Sequence, residues 1–186
     1  MQPPTVRAAT GSDAAGIAEV HVRSWQAAYA GQLPDELLRA LSVGDRQRTW
    51  EQRLSELTEI HPAQAHSQQN GRTLVIEVEG AVGGFASVGP CRDDGADERT
   101  GELWALYLHP RYWNRGLGRR LHDEAITVLS GQGCHRAVLW VLRTNVRAQR
   151  FYQRAGWARD GAVKVDHLRG VALDEVRYAR SLDPAR

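Results

Sequence analysis

The sequence predicts an α/β fold, a mixed and mostly antiparallel sheet with helices on both of its faces. Three observations lead there. Helical spacing of apolar residues dominates residues 10 to 58, period-two alternation takes over from Thr73, and a glycine-punctuated basic turn joins an apolar strand to an amphipathic helix at residues 108 to 121.

Val6 to Ala9 reads as a short first strand. Thr10-Gly11-Ser12-Asp13 then caps a helix in which Ile17, Val20, Ser24, Trp25 and Ala28 recur at helical spacing, ending near Gly31. Pro34 opens a short helix to Leu41, and Asp45 to Leu57 reads as another, with Trp50, Leu54 and Leu57 on one face. Ile60 to Gly71, polar and Pro- and Gln-containing, reads as loop. Thr73 to Glu79 and Val82 to Val88 make a hairpin around Glu79-Gly80, followed by a charged loop, Arg92 to Gly101, read as mobile. Glu102 to Leu108 is the fourth strand. Period-two alternation puts Glu102, Trp104, Leu106 and Leu108 on one of its faces and Leu103, Ala105 and Tyr107 on the other. A helix from about Gly116, a buried strand Ala137 to Leu142 and a helix Val146 to Ala155 follow. Val163 to Leu168 and Val171 to Arg180 close the chain as a hairpin around Gly170.

Composition narrows the function. At 186 residues, 42% hydrophobic and 25% charged, the chain is of ordinary globular type, and one domain over residues 1–186 is expected. A net charge of +2 gives no reason to expect a nucleic-acid partner. No apolar run approaches the about 18–20 residues of a membrane helix. The start, Met1-Gln2-Pro3-Pro4-Thr5, lacks the layout of a signal peptide, so a cytoplasmic location without membrane partners is expected. Cys91 and Cys134 are far apart and form no C-x-x-C, and the seven histidines, His61 and His66 in the loop among them, show no ligand spacing. No metal is expected.

The stretch Leu108 to Leu121 is built to hold an anion. Gly116 and Gly118 let the backbone approach a ligand, the helix start offers free N–H groups, and Arg115, Arg119 and Arg120 add charge. The spacing excludes two familiar phosphate loops. There is no G-x-x-x-x-G-K-[ST], and Leu121 stands where a dinucleotide fingerprint needs its third glycine.

A second block, Thr144-Asn145-Val146-Arg147-Ala148 through Phe151-Tyr152 to Gly156-Trp157, follows the buried strand directly. With the glycine turn it resembles the GNAT superfamily of acetyl-CoA-dependent N-acetyltransferases, closely from Glu102 to Trp157 and more loosely over the whole chain. The resemblance implies a sheet splayed between the fourth and fifth strands. The superfamily's loop reads [QR]-x-x-G-x-[GA], and here Trp113-Asn114-Arg115-Gly116-Leu117-Gly118 departs at its first position. An indole cannot give a pyrophosphate the hydrogen bond that Gln or Arg gives, so Arg115, Arg119 or backbone N–H groups carry more of that contact.

The resemblance implies site roles residue by residue. Asn114, Arg115, Gly116, Leu117, Gly118 and Arg119 wrap the CoA pyrophosphate, Leu106, Tyr107 and Leu108 pair their backbone with pantetheine, and Asn145 bonds that arm. Tyr152 matches the tyrosine near the thioester sulfur. A phenol of pKa about 10 can protonate a thiolate leaving group of pKa about 8.5–9. An amine of pKa about 10 must lose a proton before it attacks, through a base or a water chain. Glu102 is the candidate base; His109 stands at the other end of the strand, where His-Pro reads as strand termination. Trp25, Tyr29 and Trp104 are candidate walls of the acceptor site.

The expected activity is acetyl transfer to a small-molecule or peptide amine by direct attack, since neither cysteine lies in the motifs. Two other readings are a non-catalytic acyl-CoA sensor and a nucleic-acid surface built from the arginines between Arg111 and Arg154. The near-neutral balance argues against the latter. A homodimer is compatible with the fold, and the acceptor is not encoded in any motif.

Overall fold

The computed structural model describes residues 3–58 and 71–183. Its strands are β1 (Thr5–Ala8), β2 (Arg72–Val78), β3 (Ala81–Pro90), β4 (Thr100–Leu108), β5 (Arg136–Leu142), β6 (Ala158–Leu168) and β7 (Val171–Ser181). They form one sheet in the order β1-β2-β3-β4-β5-β7-β6, antiparallel throughout except for the parallel pair β4 and β5. The helices are α1 (Ala14–Ala28), α2 (Asp35–Arg39), α3 (Val43–Thr58), α4 (Leu117–Gly131) and α5 (Val146–Arg154). The loop read over 60–71, with His61 and His66, lies outside the described residues except for Gly71.

The turn from β1 into α1 shows how short-range chemistry sets the architecture. The Thr10 N–H donates to the Asp13 carboxylate at 2.8 Å and its hydroxyl at 3.0 Å, while Arg7 grips both carboxylate oxygens at 2.7 and 2.9 Å. Arg7, against the cost of burial, draws the Asp13 carboxyl down to about 2. Helices then cover both faces of the sheet. Ile17, Ala18 and Val20 of α1 and Trp50 and Leu54 of α3 pack on Val75 and Phe85. On the other face Leu121, Ala125 and Leu129 of α4 and Tyr152 of α5 meet Ile76, Ala86, Leu139 and Tyr178.

Three sequence expectations need correction. In β4, Ser87 faces Ala105 and Val88 faces Leu103, so Trp104 is an extra residue with no partner in β3. Such a bulge resets the alternation. Leu103, Leu106 and Leu108 therefore share the α4 side, and Ala105 and Tyr107 face α1 and α3. The Trp104 ring fills a notch left by two glycines, since a Cβ on Gly71 or Gly89 would lie 2.2 or 2.3 Å from it. In β6, the strand begins at Ala158, not Val163, because Gly161 at φ 92° admits an irregularity between Arg159 and Val163 where Asp160-Gly161 reads as a turn. The loop from Arg92 to Gly101 is tied down: Asp93 accepts from Arg177 at 2.6 Å and from the Trp140 indole at 3.0 Å.

The α4 face also holds a buried polar chain. The Trp157 indole donates to His122 Nε2 at 2.8 Å, which places the imidazole proton on Nδ1, 2.9 Å from Asp123. Burial lowers the His122 pKa in spite of Asp123. His21, enclosed by Trp25, Phe85 and Tyr107, is lowered to about 3, by burial first and then by Arg46 and Arg53. Both rings fold neutral, so the unfolded chain takes up protons first as the pH falls through the ordinary value of 6.5. Urea midpoints are expected to be flat between about pH 7 and 8 and to fall progressively below about 6.5. His122→Gln, which keeps an acceptor for Trp157, is expected to remove part of that fall.

Candidate active site

Parallel pairing joins β4 to β5 only from Thr100–Glu102 to Arg136–Val138. Beyond Glu102 the strands separate, and a cleft of about 950 Å³ opens between them. The peptide directions along β4 decide what lines it. The His109 N–H donates to Gly83 of β3 at 2.9 Å, so the preceding residue, Leu108, turns its peptide groups toward the gap. There the Trp113 indole donates to the Leu108 carbonyl at 2.9 Å. Leu106, two residues back, presents its N–H and C=O to the same open edge.

One end of the cleft is basic and glycine-rich. Gly116, the N-cap of α4, lies at φ 76° and Asn114 at φ 61°, which turns the chain sharply into the helix. The Gly116 carbonyl accepts from Arg119 and Arg120 at 3.1 and 3.2 Å, and the N–H groups of Leu117 and Gly118 point out of the helix start. A Cβ on Gly118 would meet Leu108 at 3.3 Å, so glycine allows α4 to begin close to β4. Arg119 is paired with Asp123 at 2.7 Å. Arg147 of α5 lies over the Trp113 ring at 3.7 Å and touches Asn114 at 3.5 Å. Among the described residues Arg147 has no carboxylate partner.

Tyr152 faces the cleft from α5, beside Phe151 and Trp157, with ring centroids 5.3 and 6.2 Å away. Burial holds its phenol well above the usual range, so it stays protonated. Asn145 caps α5, its Oδ1 accepting the Ala148 N–H at 3.0 Å, and lines the same wall.

A profile of the acetyltransferase (GNAT) family matches residues 35–157. The uncharacterized N-acetyltransferase YuaI of Bacillus subtilis (strain 168) is 32% identical over 172 residues, 92% of this chain and 90% of that protein. The PaiA N-acetyltransferase of Thermoplasma acidophilum, solved with coenzyme A, superposes with a TM-score of 0.71 at 20% identity over 97% of this chain and 99% of that one. YncA, a putative acetyltransferase of Salmonella typhimurium solved with acetyl-CoA, gives 0.69 at 24% identity over 100% and 97%. The chain belongs to the GNAT family. Its fold is the GNAT fold, and its activity is N-acetyl transfer from acetyl-CoA to an amine acceptor.

This GNAT cleft gathers Leu106, Tyr107, Leu108, Asn114, Gly116, Gly118, Arg119 and Asn145, with Tyr152, Glu102, Trp25, Tyr29 and Trp104. Arg115 and Leu117 stand outside it. Arg115 turns back over the Tyr112 ring at 5.8 Å, and Leu117 packs toward the α4 core. Glu102 is 1% exposed and fully engaged: Arg92 gives one oxygen its backbone N–H at 2.9 Å and Nε at 3.1 Å, and the other a guanidinium nitrogen at 2.5 Å. The Arg92 guanidinium also lies over the Trp104 ring at 5.3 Å, while the Trp104 indole donates to Pro90. Trp25 meets Tyr29 edge-on at 5.0 Å.

Arg92, Trp140, Arg147, Lys164 and Glu175 also line the cleft, although the sequence reading gave none of them a role in the acetyl-transfer site. Burial raises the Glu175 carboxyl pKa, against the pull of Lys164. A signal for it exists. In the alternation of β7, Glu175 falls on the same face as Val171 and Leu173, an acid on an apolar stripe.

Gly116 tests the glycine-rich end of the cleft. Nothing lies within 4 Å of a Cβ built there, so Gly116→Ala meets only the backbone strain of its left-handed conformation, about 1–2 kcal/mol. Relaxation of the turn is expected to weaken acetyl-CoA binding about 5- to 30-fold, measured by isothermal titration.

Proposed function

We propose that the chain acetylates a primary amine by direct attack in a ternary complex, without an acetylated enzyme. One observation carries this reading: the open edge of β4, the glycine turn and Tyr152 share a single cleft. A pantetheine arm has two amides, and the free peptide groups of Leu106 with the N–H of Leu108 can pair with it as a short added strand. The phosphates then fall at the turn, where the N–H groups of Leu117 and Gly118 and the α4 dipole favour an anion. Arg147 supplies the cation that Trp113 cannot. Trp113 holds it in place from below, and Asn114 and Gly116 shape the turn beside it.

Direct attack follows from the thiols. Neither Cys91 nor Cys134 lines the cleft, and burial pushes both thiols up, so neither is a ready nucleophile at neutral pH. Tyr152, neutral and buried, donates to the sulfur as the carbon–sulfur bond breaks. Asn145 and the free amides of β4 orient the thioester. Trp25, Tyr29 and Trp104 form an aromatic wall for the acceptor. We assign Glu102 a structural part in place of the base expected from its position. With the Arg92 fork on both oxygens, proton transfer to Glu102 would first have to break an ion pair, and its grip on Arg92 holds the loop against Trp104. No helix among the described residues is long and apolar enough to cross a membrane; a cytoplasmic location is part of the proposal.

Isothermal titration with acetyl-CoA, with ATP and NAD as controls, is expected to show saturable binding of acetyl-CoA alone. Arg147→Ala is expected to weaken it about tenfold, as for loss of one charged contact. Tyr152→Phe is expected to lower kcat about 10²-fold and to change acetyl-CoA affinity less than about twofold. Failure of the unmodified chain to bind acetyl-CoA overturns the reading.

A further inference from the structure

Four carboxylates line the cleft; Asp93 is tied to Arg177 and Trp140 and Asp166 is exposed, which leaves Glu102 and Glu175 as two acids in different surroundings. Glu102 receives three hydrogen bonds from Arg92. Glu175 of β7 stands opposite Leu142 of β5 and Lys164 of β6, with its side chain 18% exposed. Among the described residues it has one polar partner, Lys164, whose Nζ is 3.4 Å from Oε2. A forked guanidinium occupies the lone pairs of a carboxylate, whereas one ammonium at that distance leaves most of them free. Lys164 is the one lysine among 24 basic residues, and its Nζ is held 4.4 Å over the Trp140 ring. The pair is thus fixed at the wall of the cleft and loosely coupled.

From the geometry we infer that Glu175 takes the proton from the acceptor amine, and that Lys164 is the residue that positions and tunes it. The inference rests on the acetyl-transfer reading above. Glu175, Tyr107 and Tyr152 line the same cleft, and the Tyr107 phenol interacts electrostatically with both of the others. An alkylammonium arriving between the aromatic walls gives one proton to Glu175 Oε. The neutral nitrogen bonds to the acetyl carbon, and the carbon–sulfur bond breaks as Tyr152 protonates the sulfur. The second proton of that nitrogen returns to the Tyr152 oxygen, and Glu175 releases its own to water. One ammonium and one thioester become one amide, one thiol and one proton.

The charges that face Glu175 set the pH at which it acts. Burial raises its pKa; Lys164 on β6 and Arg92 on the β3–β4 connection oppose that, and Asp166 on β6 adds to it. The phenols of Tyr29 and Tyr107 complete its surroundings, both held neutral above the usual range chiefly by burial. With Glu175 as base, kcat/KM rises with pH through its pKa, and removing Lys164 moves that limb to higher pH.

The test follows thiol release from acetyl-CoA with a panel of primary amines, spermidine, tyramine and lysine amide, against 2,2,2-trifluoroethylamine, which is already neutral at pH 7. Glu175→Gln is expected to slow the alkylamines about 10²-fold or more, to abolish the acid limb and to spare trifluoroethylamine, with acetyl-CoA affinity unchanged. Lys164→Met keeps the carboxylate and is expected to shift the limb upward. Carboxyl ¹³C titration of Glu175, without substrates, is expected to show the same upward shift in Lys164→Met. Glu175→Gln turning over alkylamines at the wild-type rate, or an acid limb that Lys164→Met leaves in place, overturns the assignment alone. A wild-type chain that binds acetyl-CoA yet acetylates no amine overturns the acetyl-transfer reading with it.

Discussion

Three residue pairs hold β4 against β5, and past Glu102 none do. The rest of the site depends on that separation. A sheet left open in its interior exposes peptide groups that a closed ladder would have paired, and such groups are costly to desolvate without a partner. Side chains keep the gap from closing. Leu106 and Leu108 are committed to the α4 side, where Phe151 and Leu117 also pack, and the extra residue Trp104 is wedged over Gly71 and Gly89. On the far bank Trp140 is bonded to Asp93, and Asp93 to Arg177. The strands are pinned apart by packing that a ligand need not disturb.

The same fold supplies two kinds of cation to its acids, and the difference has chemical content. Where a carboxylate must stay put, the chain uses arginine: Arg92 on Glu102, Arg7 on Asp13 and Arg177 on Asp93 all approach within 2.7 Å. For Asp93, burial works against its ionisation and Arg177 and Trp140 prevail. Glu175 has a lysine at 3.4 Å. Planar forks fix geometry, and a single ammonium leaves room for a second guest.

Much of this was legible in the chain because the signals were local. The glycine turn, the cap at Asn145 and the alternating strands are short-range patterns, and the elements fall within a few residues of where the sequence puts them. What escaped was long-range. No local rule announces that Trp104 is a bulge, since the deciding fact is the register with Ser87 and Val88 across β3. Glu102 looks like a free strand-end acid until the fold brings Arg92 back over ten residues to cover it. Arg115 sits inside the loop motif yet turns back over Tyr112, while Arg147, more than thirty positions from Asn114, comes to lie beside Asn114. Glu175 was present as an acid on an apolar stripe, a signal that gains meaning only when Lys164 and Leu142 are known to flank it.

Trp113 has one more effect. Its indole N–H occupies the Leu108 carbonyl, the last acceptor on the open edge of β4. That edge therefore has a definite end and only one full peptide unit, at Leu106, before it. A ligand shifted by two residues would have to share that carbonyl with the indole, which favours pairing at Leu106. On the proposed reading, the backbone edge of β4 would set the alignment of a pantetheine arm between the anion turn and Tyr152, before any side chain selects among acceptors.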